Sequence, residues 1–184
     1  MSSSIGELCQ MNERVSSFPP LVGRAPRVLV LGSMPGLRSL QAARYYAHPH
    51  NAFWPIMGQL LGFEGGADYD TRCRALTAAG VALWDVMASC ERRGSLDSAI
   101  VRSSVQPNDI AALLEREPGI RAILFNGAAA EQGFVRHVLP GLGARAGIDR
   151  LRLPSTSPAH AGLDRRAKLA AWRNALAPYL PLSG

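Results

Sequence analysis

Four short apolar runs mark the chain: Val28-Leu29-Val30-Leu31, Val81-Ala82-Leu83-Trp84, Ala122-Ile123-Leu124-Phe125 and Leu151-Arg152-Leu153. The first three lack any polar position, the pattern of strands buried on both faces. The segments between them predict helices. Residues 39–44 can form a helical turn, and 53–61 a helix with Pro55 in its first turn, where a missing N–H is tolerated, and Gly62 as its stop. A helix over 73–79 ends at Gly80, and one over 110–115 is capped by Asp109 and closed by Pro118-Gly119. Residues 128–138 and 163–176 complete the set. Strands alternating with helices predict a three-layer α/β/α sandwich around a central, mainly parallel four-stranded sheet. Residues 1–24, mixed in pattern and carrying Phe18-Pro19-Pro20, read as an N-terminal arm, and residues 25–184 as one domain.

Composition narrows the class. With 184 residues, 47% hydrophobic and 18% charged, the chain can bury a continuous core, which excludes a disordered polypeptide. No apolar run reaches the roughly 18 residues of a membrane span, and Met1 to Gly6 lack a basic region and a signal core, so a cytoplasmic protein without a membrane partner is expected. Cys9, Cys73 and Cys90 cannot all pair and are spaced too widely for a metal knuckle. Reduced thiols, no structural metal and no cofactor are expected; His48 and His50 lack nearby cysteines or clustered acids to complete a site. The formal charge is +6, and from Arg150 onward six basic residues face one acid, Asp164. A polyanion is the natural partner of such a surplus.

In a parallel sheet, ligands collect beyond the carboxyl ends of the strands. That rule nominates Gly32-Ser33-Met34-Pro35-Gly36, Asp85-Val86-Met87, Asn126-Gly127, and the stretch from Pro154 to His160. The block from Tyr45 to Trp54 follows the first of these loops directly. No GxxxxGK[ST], GxGxxG or GxSxG is present, so nucleotide hydrolysis, dinucleotide binding and serine-hydrolase chemistry all lose their usual signatures. Residue chemistry alone leaves several roles open. Asn51 suits either a reacting site or a turn that bonds its own backbone, Asp85 either a site or a partner for Arg92 or Arg93, and Tyr46 either a site or the core.

Taken together, Gly32-Ser33-Met34-Pro35-Gly36, the block Tyr46-Ala47-His48-Pro49-His50-Asn51-Ala52-Phe53-Trp54, and Leu153-Pro154-Ser155-Thr156-Ser157-Pro158 resemble the uracil-DNA glycosylase superfamily. The set is most similar to its hypoxanthine (deoxyinosine) glycosylase family. One departure stands out: many members place an Asn or Asp just before the first-motif proline, where this chain has Met34. The resemblance implies that catalysis moves to Asn51, whose amide oxygen would orient the attacking water. It also implies that Tyr46 stacks on the everted base and that Asp85 reads the base edge, accepting N1–H of hypoxanthine or N3–H of uracil. Gly32, Ser33, Met34, Pro35, Gly36, Ser155 and His160 would complete the substrate site. His160 is open between donating to the leaving base, contacting phosphate, and no role. Ser157, Pro158, Arg165, Arg166 and Lys168 would hold DNA, the last three through counterion release on the polar side of the final helix.

Lys168 is the sole lysine and is expected on a helix face, which argues against a Schiff-base route and for a monofunctional enzyme. The implied partner is double-stranded or single-stranded DNA containing a deaminated base, bound by a monomer. Hypoxanthine is the first substrate; uracil or a G/T mismatch is the alternative. A non-catalytic DNA damage-binding module and, more weakly, a small-molecule nucleosidase belong to other classes.

Overall fold

A computed structural model describes residues 13–184; residues 1–12, with Cys9 and the first half of the expected arm, lie outside the described residues. In chain order the elements are β1 (Glu13–Ser16), β2 (Val28–Gly32), α1 (Leu37–Ala42), α2 (Phe53–Leu61), α3 (Tyr69–Ala78), β3 (Val81–Asp85) and β4 (Met87–Arg92). They continue with β5 (Gln106–Pro107), α4 (Ile110–Arg116), β6 (Ala122–Asn126), α5 (Ala128–His137), β7 (Asp149–Leu153) and α6 (Arg165–Leu176). Short 3-10 turns join several of them.

The main sheet has the order β3-β2-β6-β7 and every neighbouring pair in it is parallel. The period-2 side-chain alternation of β2 explains its unbroken apolar sequence. Val28 and Val30 join a core with Phe53, Trp54, Met57 and Trp172, whereas Leu29 and Leu31 join another with Ile110, Leu113, Phe125 and Phe134. The sheet is thereby covered by α2, α3 and α6 on one face and by α4 and α5 on the other, the three layers expected. All four β2 side chains are fully buried, and each contributes roughly 1.5–3 kcal/mol of hydrophobic stabilisation. No helix among the described residues is long and apolar enough to cross a membrane.

A second, antiparallel sheet, β1-β4-β5, was not expected from the sequence. It packs Val15, Cys90, Ile100 and Val105 against Met34 of the first loop. The described half of the expected arm is woven into the fold. Residues Glu13–Ser16 pair with β4, Leu21 exchanges hydrogen bonds of 2.9 Å with Leu83, and the Phe18 carbonyl accepts from Trp84 Nε1.

Helix ends follow local chemistry. Asp68, Asp109 and Asp164 each cap a helix by accepting a backbone N–H, and Gly62 ends α2 in the left-handed region at φ 77°. The final helix starts at Arg165, two residues later than expected, because Asp164 is its cap.

Candidate active site

The carboxyl ends of β2, β3 and β6 open onto a cavity of about 300 Å³, at the small end of the range for small-molecule sites. Its wall contains Gly32, Ser33, Met34, Pro35 and Gly36 from the first loop, Tyr46 and Asn51 from the block before α2, and Asp85 from the end of β3. Ser155, Ser157 and Pro158 close the far side. Residues more than a hundred positions apart are brought to one cavity.

Asp85 forms the floor. It is 3% exposed, and its Oδ2 has no hydrogen-bond partner. Burial, with the like charge of Asp97 adding and Arg92 opposing, pushes its carboxyl up to about 7. Gly32 is required beside it: a Cβ there would lie 2.4 Å from Asp85 Oδ1 and 3.2 Å from the Tyr46 hydroxyl. Arg92 forms no ion pair with Asp85. Its guanidinium is buried beneath the first loop, where Nη2 donates to the Pro35 carbonyl while Nε and Nη1 have no partner.

Tyr46 adopts φ 53°, an unusual conformation for a bulky residue. Its neighbours hold it there: the N–H of Tyr45 donates to Tyr69 Oη at 3.0 Å, and the N–H of Ala47 donates to Ser39 Oγ at 3.1 Å. The Tyr46 ring packs on Phe53 with centroids 4.1 Å apart, and its buried hydroxyl has no partner. Desolvation, then the Asp85 charge, raises the phenol pKa further, so it stays a neutral donor.

Asn51 sits at the entry to α2, half-buried at the cavity wall. Its N–H donates to the His48 carbonyl at 2.9 Å, and its Oδ1 accepts from the Phe53 N–H at 3.0 Å. The turn reading of Asn51 is therefore realised in the backbone. An amide oxygen has two acceptor sites and the amide nitrogen two donors, so one lone pair of Oδ1 and the NH2 group are left unused by the turn bond.

The last loop is held on three sides. Ala52 N–H donates to the Thr156 carbonyl at 3.0 Å, and Trp172 Nε1 donates to the Pro154 carbonyl at 3.2 Å. The Asn126 amide clamps Thr156 twice: its Oδ1 accepts from Thr156 N–H at 2.8 Å and its Nδ2 donates to Thr156 Oγ1 at 2.9 Å. Ser155 Oγ and Ser157 Oγ accept from the N–H groups of Ser157 and Ala159, leaving both hydroxyl protons available.

The remaining expected site residues lie elsewhere. His160, Arg165 and Lys168 border a neighbouring groove that also touches Asn51, Ser157 and Pro158. Arg165 and Arg166 are exposed at the start of α6. Lys168 departs from its expected place on the polar side of the helix. It is 6% exposed, and its Nζ donates to the His160 carbonyl at 2.8 Å. The reason is helical phase, since Lys168 shares the buried stripe of Trp172, Ala175 and Leu176. Its ammonium thus tethers the last loop.

Sequence reasoning passed over Asp97, which nothing local marked. It nominated Asn126 by its place at the end of an apolar strand without giving it a role, and named Arg92 only as a possible partner of Asp85.

The fold and this cavity define an α/β/α protein with a site at the carboxyl ends of its parallel strands. The chain belongs to the Uracil DNA glycosylase superfamily, whose family model matches residues 19–180. It is 34% identical over 145 residues to a hypoxanthine DNA glycosylase of Methanosarcina acetivorans, covering 78% of this chain and 86% of that protein. It is likewise 34% identical over 111 residues to a hypoxanthine DNA glycosylase of Methanosarcina barkeri, covering 60% of this chain and 69% of that one. A solution NMR structure of a Methanosarcina acetivorans protein assigned to the uracil DNA glycosylases superposes with TM-score 0.72 and 30% identity, over 88% of this chain and 98% of that chain. The expected fold class, the glycosylase class and a DNA substrate stand on these findings.

Proposed function

We propose that the chain removes hypoxanthine from DNA containing deoxyinosine by hydrolysis and leaves an abasic site. A base in the stack is out of reach, so the nucleotide must rotate into the cavity. There Tyr46 offers an aromatic surface and Asp85 an unpartnered carboxylate oxygen. Ionised Asp85 accepts the N1–H of hypoxanthine; adenine has no proton at N1 and meets it with a second acceptor. The observation that carries this reading is that unpartnered Asp85 Oδ2, in a chain similar to two hypoxanthine DNA glycosylases.

In the reaction the C1′–N9 bond breaks and its electron pair leaves with the base. Water oxygen bonds to C1′, and the proton it loses balances the one the base takes up. The free lone pair of Asn51 Oδ1 aligns that water, a positioning contribution of roughly two to four powers of ten. No protein nucleophile is needed, and the tethered Lys168 is removed from Schiff-base chemistry. Ser155 and Ser157 donate to flanking phosphates, Pro158 lies against the strand, and Arg165 and Arg166 hold the backbone of a duplex bound by a monomer.

Uracil presents the same donor to Asp85 through N3–H and is the second reading. Incubation of duplexes and single strands carrying deoxyinosine, deoxyuridine or a G/T mismatch, followed by alkali and gel analysis, tests the assignment. Release from deoxyinosine in DNA is expected to be fastest. Faster release from deoxyuridine selects the second reading, and faster turnover of free inosine than of deoxyinosine in DNA overturns both. No strand cleavage before alkali, and no borohydride-trapped adduct, is expected.

A further inference from the structure

We propose that Asp97 supplies negative charge facing the deoxyribose as the base departs, an inference that rests on the glycosylase reading above. Met34 leaves the position immediately before Pro35 without a polar group. Asp97 reaches the same wall from the connection between β4 and β5 and lines the cavity together with Asn51 and Asp85. Ser33, the neighbour of Met34, donates its Oγ–H to Asp97 Oδ1 at 2.7 Å, which fixes the carboxylate beside the loop. The N–H of Leu37 donates to Ser95 Oγ at 3.0 Å and ties the same connection to the start of α1.

Asp97 belongs to neither of the ion pairs among the described residues, and Arg92 spends its hydrogen bond on Pro35. An unpaired carboxylate at the rim of a site for a polyanion repels the phosphates of the ground state. It becomes favourable where positive charge builds on the sugar as the C1′–N9 electron pair leaves, the differential that accelerates a reaction. Asp97 forms no bond and takes no proton; the water still attacks C1′ as aligned by Asn51. Asp85 at the floor faces the base, and Asp97 at the rim faces the sugar.

Asp97→Asn keeps an oxygen for Ser33 and removes the charge. With enzyme in excess over a duplex containing one deoxyinosine, its base-release step is expected to slow about ten- to a hundredfold. Binding to a duplex carrying a tetrahydrofuran abasic-site analogue is expected to hold or tighten, because a charge repelling phosphate is gone. The acidic limb of the rate profile is expected to move to lower pH, since the groups facing Asp85 are Arg92, Asp97 and the neutral phenols of Tyr45 and Tyr46. An unchanged rate overturns the proposal. So does a loss of rate matched by Ser33→Ala and accompanied by weaker binding, which makes Asp97 a structural pin. Wild-type protein that releases no base from deoxyinosine or deoxyuridine duplexes overturns the glycosylase reading, and this proposal with it.

Discussion

The last loop and the cavity floor line the same cavity and treat their polar atoms in opposite ways. Around Thr156 each named group finds a partner, in Asn126, Ala52 or a neighbouring serine. On the floor, Asp85 Oδ2 and the Tyr46 hydroxyl are buried without one, and Arg92 lies below with two idle nitrogens. A buried unpaired polar atom costs roughly 1–3 kcal/mol. A fold that pins Thr156 so firmly could have lined the floor with apolar side chains. The difference teaches that the clamped loop sets the shape of the site, while the floor keeps hydrogen-bonding capacity for a ligand to complete.

Asp85→Asn bears on that difference most strongly. The folded carboxyl titrates near 7 against 3.8 for the ordinary group, so the folded state binds the extra proton and stability declines as pH rises from about 4 to 7. Above that window the ionised carboxylate destabilises the fold by on the order of 2 to 4 kcal/mol. Asn removes this, so thermal unfolding at pH 8 is expected to move to higher temperature while release of hypoxanthine falls about ten- to a hundredfold. In the wild type the rate should rise through pH 7 as Asp85 ionises, and the variant should lose that limb. A less stable variant with unchanged selectivity would make Asp85 an ordinary structural residue.

Asn126→Ala should act in the reverse direction. It strips Thr156, which is 1% exposed, of two hydrogen bonds, and a loss of about 2 kcal/mol in denaturant unfolding is expected. Stability unchanged in that measurement would show that the loop is held without the clamp. The smallest effect belongs to the exposed α6 cations. Arg165→Ala and Arg166→Ala should each weaken binding of any duplex and lower the slope of log affinity against log salt by about 1. Unchanged slopes would place the DNA backbone elsewhere.

Much of this framework was legible in the residue pattern. The apolar runs gave the four parallel strands, and Pro55 with Gly62 gave both ends of α2, because these signals act within a few residues. The antiparallel sheet was not legible. In β4 (Met87–Arg92) Ser89 and Arg92 are buried, so its pattern does not alternate cleanly between apolar and polar. Asp97 was silent for a related reason, since its partner Ser33 lies 64 residues away and contacts at that distance leave no periodicity. Lys168 shows a misjudged signal: its phase with Trp172 pointed inward, and its charge was given the greater weight. For Asn51 chemistry alone offered a turn or a reacting site, and the geometry contains both a turn bond and a place at the cavity wall.

The role of Asn51 is tested most directly by the rate of base release from a deoxyinosine duplex, with enzyme in excess, for the wild type and Asn51→Ala measured beside thermal unfolding and duplex binding. The expected result is a fall of a hundredfold or more, about two to four powers of ten, with binding retained and stability lowered by no more than the roughly 0.5–1.5 kcal/mol of one lost turn hydrogen bond. An Asn51→Ala protein that is folded, binds the duplex and releases hypoxanthine at the wild-type rate would contradict the account.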